Sequence, residues 1–417
     1  MPYSVMFRVW LLLFLVASSL GRVAAVEPLT FDIKLDTVYQ QWDGDFCWFH
    51  PRAGAIPGAG KDGAPAVVMT TQKWFVKVSD YFSTLSDLRT DDLGATWEGP
   101  TERPVLGWRD IGGGITEGIC DFTPGWHAPT GKLLAFGHTV RYENERLMAE
   151  PRARSTSYSV YDLQTREWTP WQTVEMPDPE KFFSAGSGCG QWITETDGTL
   201  LVPFYFKKRS KDARQPATTT VMRCRFDGEK VAYVEHGNEM TTEVPRGFGE
   251  PSITFMGGRY YMTIRNDVKG HVAVSDDGLH YESPRPWCFD DGEELGSYNT
   301  QQHWATHSEG LFLVYTRRGA NNDHIIRNRA PLFIAQVDPE RLCVLRATER
   351  VAVPERGAML GNFGVATINA DETWITVGEG MHGDAAARGA NGSVFAARIR
   401  WSKPNALAFP EGGRRIP

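Results

Sequence analysis

Apolar residues in this chain fall in short alternating runs, not at helical spacing. Examples are Phe82-Ser83-Thr84-Leu85-Ser86, Leu133-Leu134-Ala135-Phe136, Thr219 to Cys224, Tyr260 to Ile264 and Leu311 to Tyr315. Successive side chains of a strand point to opposite faces, so each run predicts one strand. Turn chemistry brackets them: Thr130-Gly131, Asp197-Gly198, Gly257-Gly258 and Glu309-Gly310. Short strands with regular turn signals mean an all-β fold. Residues 27 to 400 contain no linker, low-complexity tract or block of like charge, so residues 26–403 read as one domain. The tail, 404–417, with Gly412-Gly413-Arg414-Arg415, reads as a flexible end.

A unit recurs along the domain: strand, Gly turn, strand, third strand, then a turn with an Asp and an aromatic residue. Its clearest turns are Thr90 to Trp97 and Ser275 to Tyr281, with echoes at Tyr161-Asp162 with Trp168, Phe226-Asp227-Gly228 and Val337-Asp338. An Asp carboxylate accepts backbone N–H bonds in a tight turn, and an aromatic residue covers the end of a sheet. These turns are structural. Their spacing of about 50 to 70 residues is that of propeller blades with loops.

Composition narrows the setting. Arg8, the apolar stretch Val9 to Leu20 and Val23-Ala24-Ala25 read as a signal peptide, residues 1–25. The mature protein is then secreted or periplasmic, with no membrane attachment after cleavage. A formal charge of −7 argues against nucleic acid as a partner. Mean hydropathy of −0.35 excludes a polytopic membrane protein. The six Cys (Cys47, Cys120, Cys189, Cys224, Cys288, Cys343) include no C-x-x-C pair. Asp276-Asp277 and Asn321-Asn322-Asp323 lack the spacing of a calcium loop, and His303-x-x-x-His307 has zincin-like spacing only on a helix, whereas on a strand the two side chains lie far apart, so neither metal nor cofactor is expected. A monomer is expected.

The stretch Thr90 to Trp97, T-D-D-L-G-A-T-W, resembles the Asp-box of sialidases. The resemblance implies a six-bladed β-propeller with blades of four antiparallel strands. The strand Gly392 to Arg398 would end the last repeat, and Leu29 to Val38 would pair with it to close the ring. In such blades the start of the first strand and the end of the second meet at the axis. Residues there implied by the family are Arg52, Arg265 and Arg329 as a carboxylate-binding set, with Arg317 and Arg327 as competitors for the third place. Asp80 would be the acid/base, Glu250 the partner of the nucleophile, and Glu379 a retained acid of the last blade. Three guanidinium groups form a fork suited to a carboxylate. The implied activity is an exo-acting glycosidase on an acidic sugar, and the implied partner an acidic oligosaccharide.

One departure stands out. The family's nucleophilic Tyr aligns with Phe363 or Asn362, and Phe has no oxygen to form a covalent intermediate. Tyr205 and His138, at second-strand ends, therefore offer an alternative: propeller-type elimination on a uronate glycan, with Tyr298, His303 and His324 near the same mouth. A non-catalytic glycan-binding propeller is the third reading. His127, His280 and His307 fall at turns on the other side and are set aside.

Overall fold

The computed structural model describes residues 29–212 and 214–409. The expected signal peptide lies outside them. Among the described residues, regular structure is strand apart from short 3-10 turns, and no helix is long and apolar enough to cross a membrane. The strands form six antiparallel sheets in a β-propeller arrangement. Three sheets have four strands. The others carry extra short strands, reaching seven in the sheet built on Ile115–His127 and Lys132–Glu143.

Ring closure follows the expected pairing. Phe31–Gln40 lies antiparallel to Ser393–Trp401, with Phe31 opposite Trp401 and Asp36 opposite Ala396. The first strand to emerge thus completes the last sheet. The chain stays fastened beyond Pro404, where the sequence suggested a loose end. Asn405 is buried, its Nδ2 donates to the Thr306 carbonyl (2.9 Å), and its Oδ1 accepts from Ser308 N (2.9 Å).

The core lies between sheets. Phe136 and Tyr158 of the second sheet pack against Phe204 and Met222 of the third. Middle strands such as Gly310–Tyr315 and Glu372–Gly378 are buried along their whole length. A strand covered on both faces loses the in–out alternation of a half-exposed one. The Asp turns form as their residues suggested. Asp92 accepts from Thr96 N (2.8 Å), and Asp277 from Leu279 N (2.9 Å) and His280 N (2.7 Å).

Candidate active site

A repeated backbone device builds the site. In five of the six sheets a non-glycine residue within the inner strand or in the segment beside it adopts positive φ: His50 (55°), Asp121 (58°), Cys189 (67°), Glu250 (46°) and Asn299 (51°). The register shifts at three of them, between Phe49 and Arg52, Cys120 and Thr123, and Gly249 and Ser252. A bulge with a left-handed residue re-aims the side chain, and such strain gathers at functional sites. Four of the five, His50, Asp121, Cys189 and Glu250, line one cavity of about 290 Å³.

Glu250 and Arg265 face each other in this cavity and form an ion pair. Arg265 also donates to Asn299 Oδ1 (2.7 Å). Burial opposes ionisation of Glu250, but the Arg265 guanidinium outweighs it and holds the carboxyl below its ordinary value. Arg329, also on the wall, is 5% exposed. Its Nη2 donates to the Asn299 carbonyl (2.5 Å) and its Nη1 faces Asn362 Oδ1 (3.5 Å). No carboxylate pairs with it, and its Nε has no partner among the described residues. Burial, then the positive charges of Arg265 and Arg327, lowers its pKa to about 9. Arg327 lines the same wall.

The opposite chemistry sits on the second and third sheets. Tyr205 accepts a hydrogen bond from Arg154 Nη1 (2.5 Å). His138 Nε2 lies 3.1 Å from Cys120 Sγ. Arg154 and His138 flank the backbone of Gly186, where an added Cβ would sit 2.7 Å from each. Burial, then Arg154, drops His138 to about 3, so the imidazole is neutral. Burial also raises the Tyr205 phenol. Asp80 lies exposed at the rim with φ 50°.

Three expected binding residues lie elsewhere. Arg52 does not line the cavity: it is 1% exposed, with Asp121 Oδ1 (3.0 Å), Gln301 Oε1 (3.1 Å) and the Phe363 carbonyl (2.8 Å) occupying its terminal nitrogens. Arg317 is held by both oxygens of Glu349 (2.9 and 2.7 Å), away from the cavity. Glu379 accepts from the backbone N–H groups of Asn391 (2.9 Å) and Ser393 (3.0 Å), so its role is to fix a turn. Of the five arginines expected at the site, Arg265, Arg327 and Arg329 line the cavity. Phe363 is fully buried, and Tyr205 is the tyrosine on the cavity wall among the described residues.

His303 is buried with its Nδ1 2.8 Å from Ser252 Oγ. His324 and Tyr298 line a neighbouring hollow that shares Arg327. Sequence reasoning missed His50, Asp121, Cys189 and Arg154. A signal existed: His50-Pro51 and Glu250-Pro251 are the same bulge, one residue ahead of a proline. Among the described residues one group has metal-ligand character: Cys120, Asp121 and His138, with ligand atoms within 4.8 Å. Asp121 is already engaged by Arg52, and burial raises the Cys120 thiol well above its ordinary value. Within the trio Cys120 is a thiol 3.1 Å from the neutral His138, while Asp121 is an ionised carboxylate held by Arg52.

No family model matches the chain, and no curated protein does. Solved structures do. A Dyadobacter fermentans protein of unknown function aligns with TM-score 0.63 at 12% identity, over 88% of this chain and 99% of that one. A Hadza microbial sialidase, Hz136, aligns with TM-score 0.57 at 13% identity, over 85% of this chain and 66% of its own. Trypanosoma rangeli sialidase in complex with the inhibitor DANA aligns with TM-score 0.56 at 12% identity, over 89% and 60%. The fold is a sialidase-like β-propeller. At these identities the likeness speaks for fold alone, and the chain spans less than two thirds of these two sialidases' own lengths. The propeller carries no tyrosine at the start of its last inner strand, where Asn362 and Phe363 stand.

Proposed function

We propose that the protein is an exported six-bladed propeller glycosidase, its Thr90–Trp97 turn an Asp-box, acting on a sugar that carries a carboxylate. The observation that carries this reading is Arg329: a buried guanidinium without an acid partner, beside Arg265 and Arg327 on the wall of an open cavity. A buried uncompensated cation is unfavourable unless an anion reaches it. A carboxylate is the natural fit for a planar fork of donors.

In this reading the sugar carboxylate lies on Arg329 and Arg327, with the outer face of Arg265. Asp80, at the exposed rim, protonates the leaving oxygen. The position of the family's tyrosine is taken by an inert, buried Phe363, so Tyr205 stands in as nucleophile. Arg154 donates to its oxygen and stabilises the phenolate as it forms. The ring of Tyr205 lies next to Gly249, adjacent to the ionised Glu250, which accepts the phenol proton as the Tyr205 oxygen bonds to the anomeric carbon and the leaving group departs with the proton from Asp80.

A second reading is favoured by one observation, the meeting of Tyr205, Arg154 and neutral His138 around Gly186. Such a set suits proton abstraction beside a uronate carboxylate, followed by elimination. One experiment separates the two. Wild-type protein is incubated with sialosides and uronate oligosaccharides, and products are read by mass spectrometry. A product heavier by water supports hydrolysis, and an unsaturated uronate supports elimination. Arg329→Met must abolish whichever reaction is found; turnover that survives it refutes the carboxylate site.

A further inference from the structure

The cavity holds more positive charge than one carboxylate needs. Seven basic side chains line it against five acidic ones. One of those acids, Asp121, is bound to Arg52 outside the lining. On the fourth and fifth sheets the excess falls on Arg327 and Arg329, the site already described. On the second and third sheets it falls on two other residues. Arg154 has the Tyr205 hydroxyl as its hydrogen-bond partner and no carboxylate. The ammonium group of Lys207, the last residue of strand Leu200–Lys207, makes no hydrogen bond or ion pair among the described residues. The nearby acid Glu150 is taken by Arg152 (3.2 Å).

These groups are held close by the fold. Arg154 is bridged to Ser184, and Ser184 is paired with Lys207 across the third sheet. Both cations and Ser184 line the cavity. Burial and then the balance of surrounding charge, with Arg154, Arg246 and Arg152 against Glu150, lowers the Lys207 ammonium from its ordinary value. That is the signature of a cation lacking its counter-ion.

We infer that Arg154 and Lys207 form a second anion subsite, so that the saccharide bound here carries two negative groups: the carboxylate at Arg327 and Arg329, and a sulfate ester or further carboxylate at Lys207. The inference rests on the carboxylate site proposed above and adds the substrate class, a dianionic glycan fragment.

The test is calorimetric binding at low salt with three probes. They are galacturonic acid, digalacturonic acid, and a uronate-containing disaccharide bearing one sulfate ester. The two dianions bind wild-type protein about tenfold more tightly than the monoanion, the increment of one charged hydrogen-bonded contact. In Lys207→Met, at a part-exposed strand end and checked for folding by its melting curve, that ratio falls to about one. The tighter of the two dianions names the second group. A ratio near one in wild-type protein, or a ratio unchanged by Lys207→Met, overturns the second subsite while leaving the first intact. If the dianions bind through Lys207 and galacturonic acid does not bind at all, the carboxylate site fails and the second subsite stands. Absence of binding by all three overturns both.

Discussion

Replacing Arg329 with methionine should make the protein more stable and less able to bind. Burial, with Arg265 and Arg327 nearby, lowers the pKa of Arg329 to about 9 in the fold, far below the ordinary arginine value. At 1.36 kcal/mol per unit this is about 5 kcal/mol of unfavourable free energy in keeping the side chain charged. Methionine removes that charge, fills much of the same volume, and gives up the hydrogen bond to the Asn299 carbonyl, worth about 1–2 kcal/mol. The net gain is roughly 3 kcal/mol. With an unfolding entropy of about 2 cal/mol/K per residue, that raises Tm by about 3–4 °C for a chain of this length. The sign has a pH signature. The folded pKa of this base is depressed, so the unfolded chain binds the extra proton and wild-type stability recovers as pH rises through about 9. The advantage of Arg329→Met is therefore full at pH 7 and shrinks above pH 9. Scanning calorimetry at pH 7 and pH 10, with and without galacturonic acid, measures all of this. A variant that melts lower than wild type at pH 7, or is stabilised by the acid as much as wild type, would refute the argument that Arg329 is an unpaired cation awaiting a ligand.

Further outcomes follow from other residues. Asp80→Asn should slow cleavage of a poor leaving group about 10²- to 10⁴-fold and spare a substrate whose leaving group needs no proton, read as kcat on paired aryl and alkyl glycosides; equal losses on both would remove Asp80 as the acid. Glu372 accepts from Arg398 (two bonds of 2.8 Å) and Trp374 Nε1 (2.8 Å), and Glu372→Ala should cost about 3 kcal/mol, since it leaves the buried Arg398 guanidinium with Asp36 at 3.5 Å as its remaining acid. Burial resists ionisation of Glu372, yet Arg398 and Trp374 hold its pKa below the ordinary value, so its contribution is present at neutral pH and is lost as pH falls through the folded value, visible as an acid-side drop in Tm absent from the variant. Alkylation of the native protein by iodoacetamide should reach Cys288 first, since the other five thiols are buried; early labelling of Cys120 or Cys189 by peptide mapping would show that the cavity they line admits the reagent to their buried thiols. Gly188→Ala should disturb His138, because the new Cβ would lie 1.8 Å from Nδ1, and a variant with wild-type Tm would show that this wall yields more than its packing suggests.

The architecture was legible because it is written in local patterns. Asp turns mark five of the six sheets, alternating runs supply strands, and the partner of the first described strand could be named. Burial on both faces was not legible, since strands such as Glu372–Gly378 show it only once neighbouring sheets are in place. At the site, the family resemblance pointed to Glu250, Arg265 and Arg329, and all three line the cavity. Arg52 and Arg317 misled because a sequence shows a guanidinium but not its acid: Asp121 and Glu349 are 69 and 32 residues away. Arg154 was invisible for the same reason, standing in a loop whose path is set by a bridge to Ser184.

The pairing of Phe31–Gln40 with Ser393–Trp401 also governs timing. Thr30 and Ser402, joined by a hydrogen bond of 2.7 Å, are 372 residues apart in the chain. Five sheets can assemble as their residues are synthesised, but the sixth must wait until Trp401 has left the ribosome. Until then the earliest segment is an unpaired strand edge, open to the wrong neighbour. A chaperone that shields this segment through translation would raise the yield of native protein, and a nick near residue 40 would undo the clasp while leaving the other sheets their own partners.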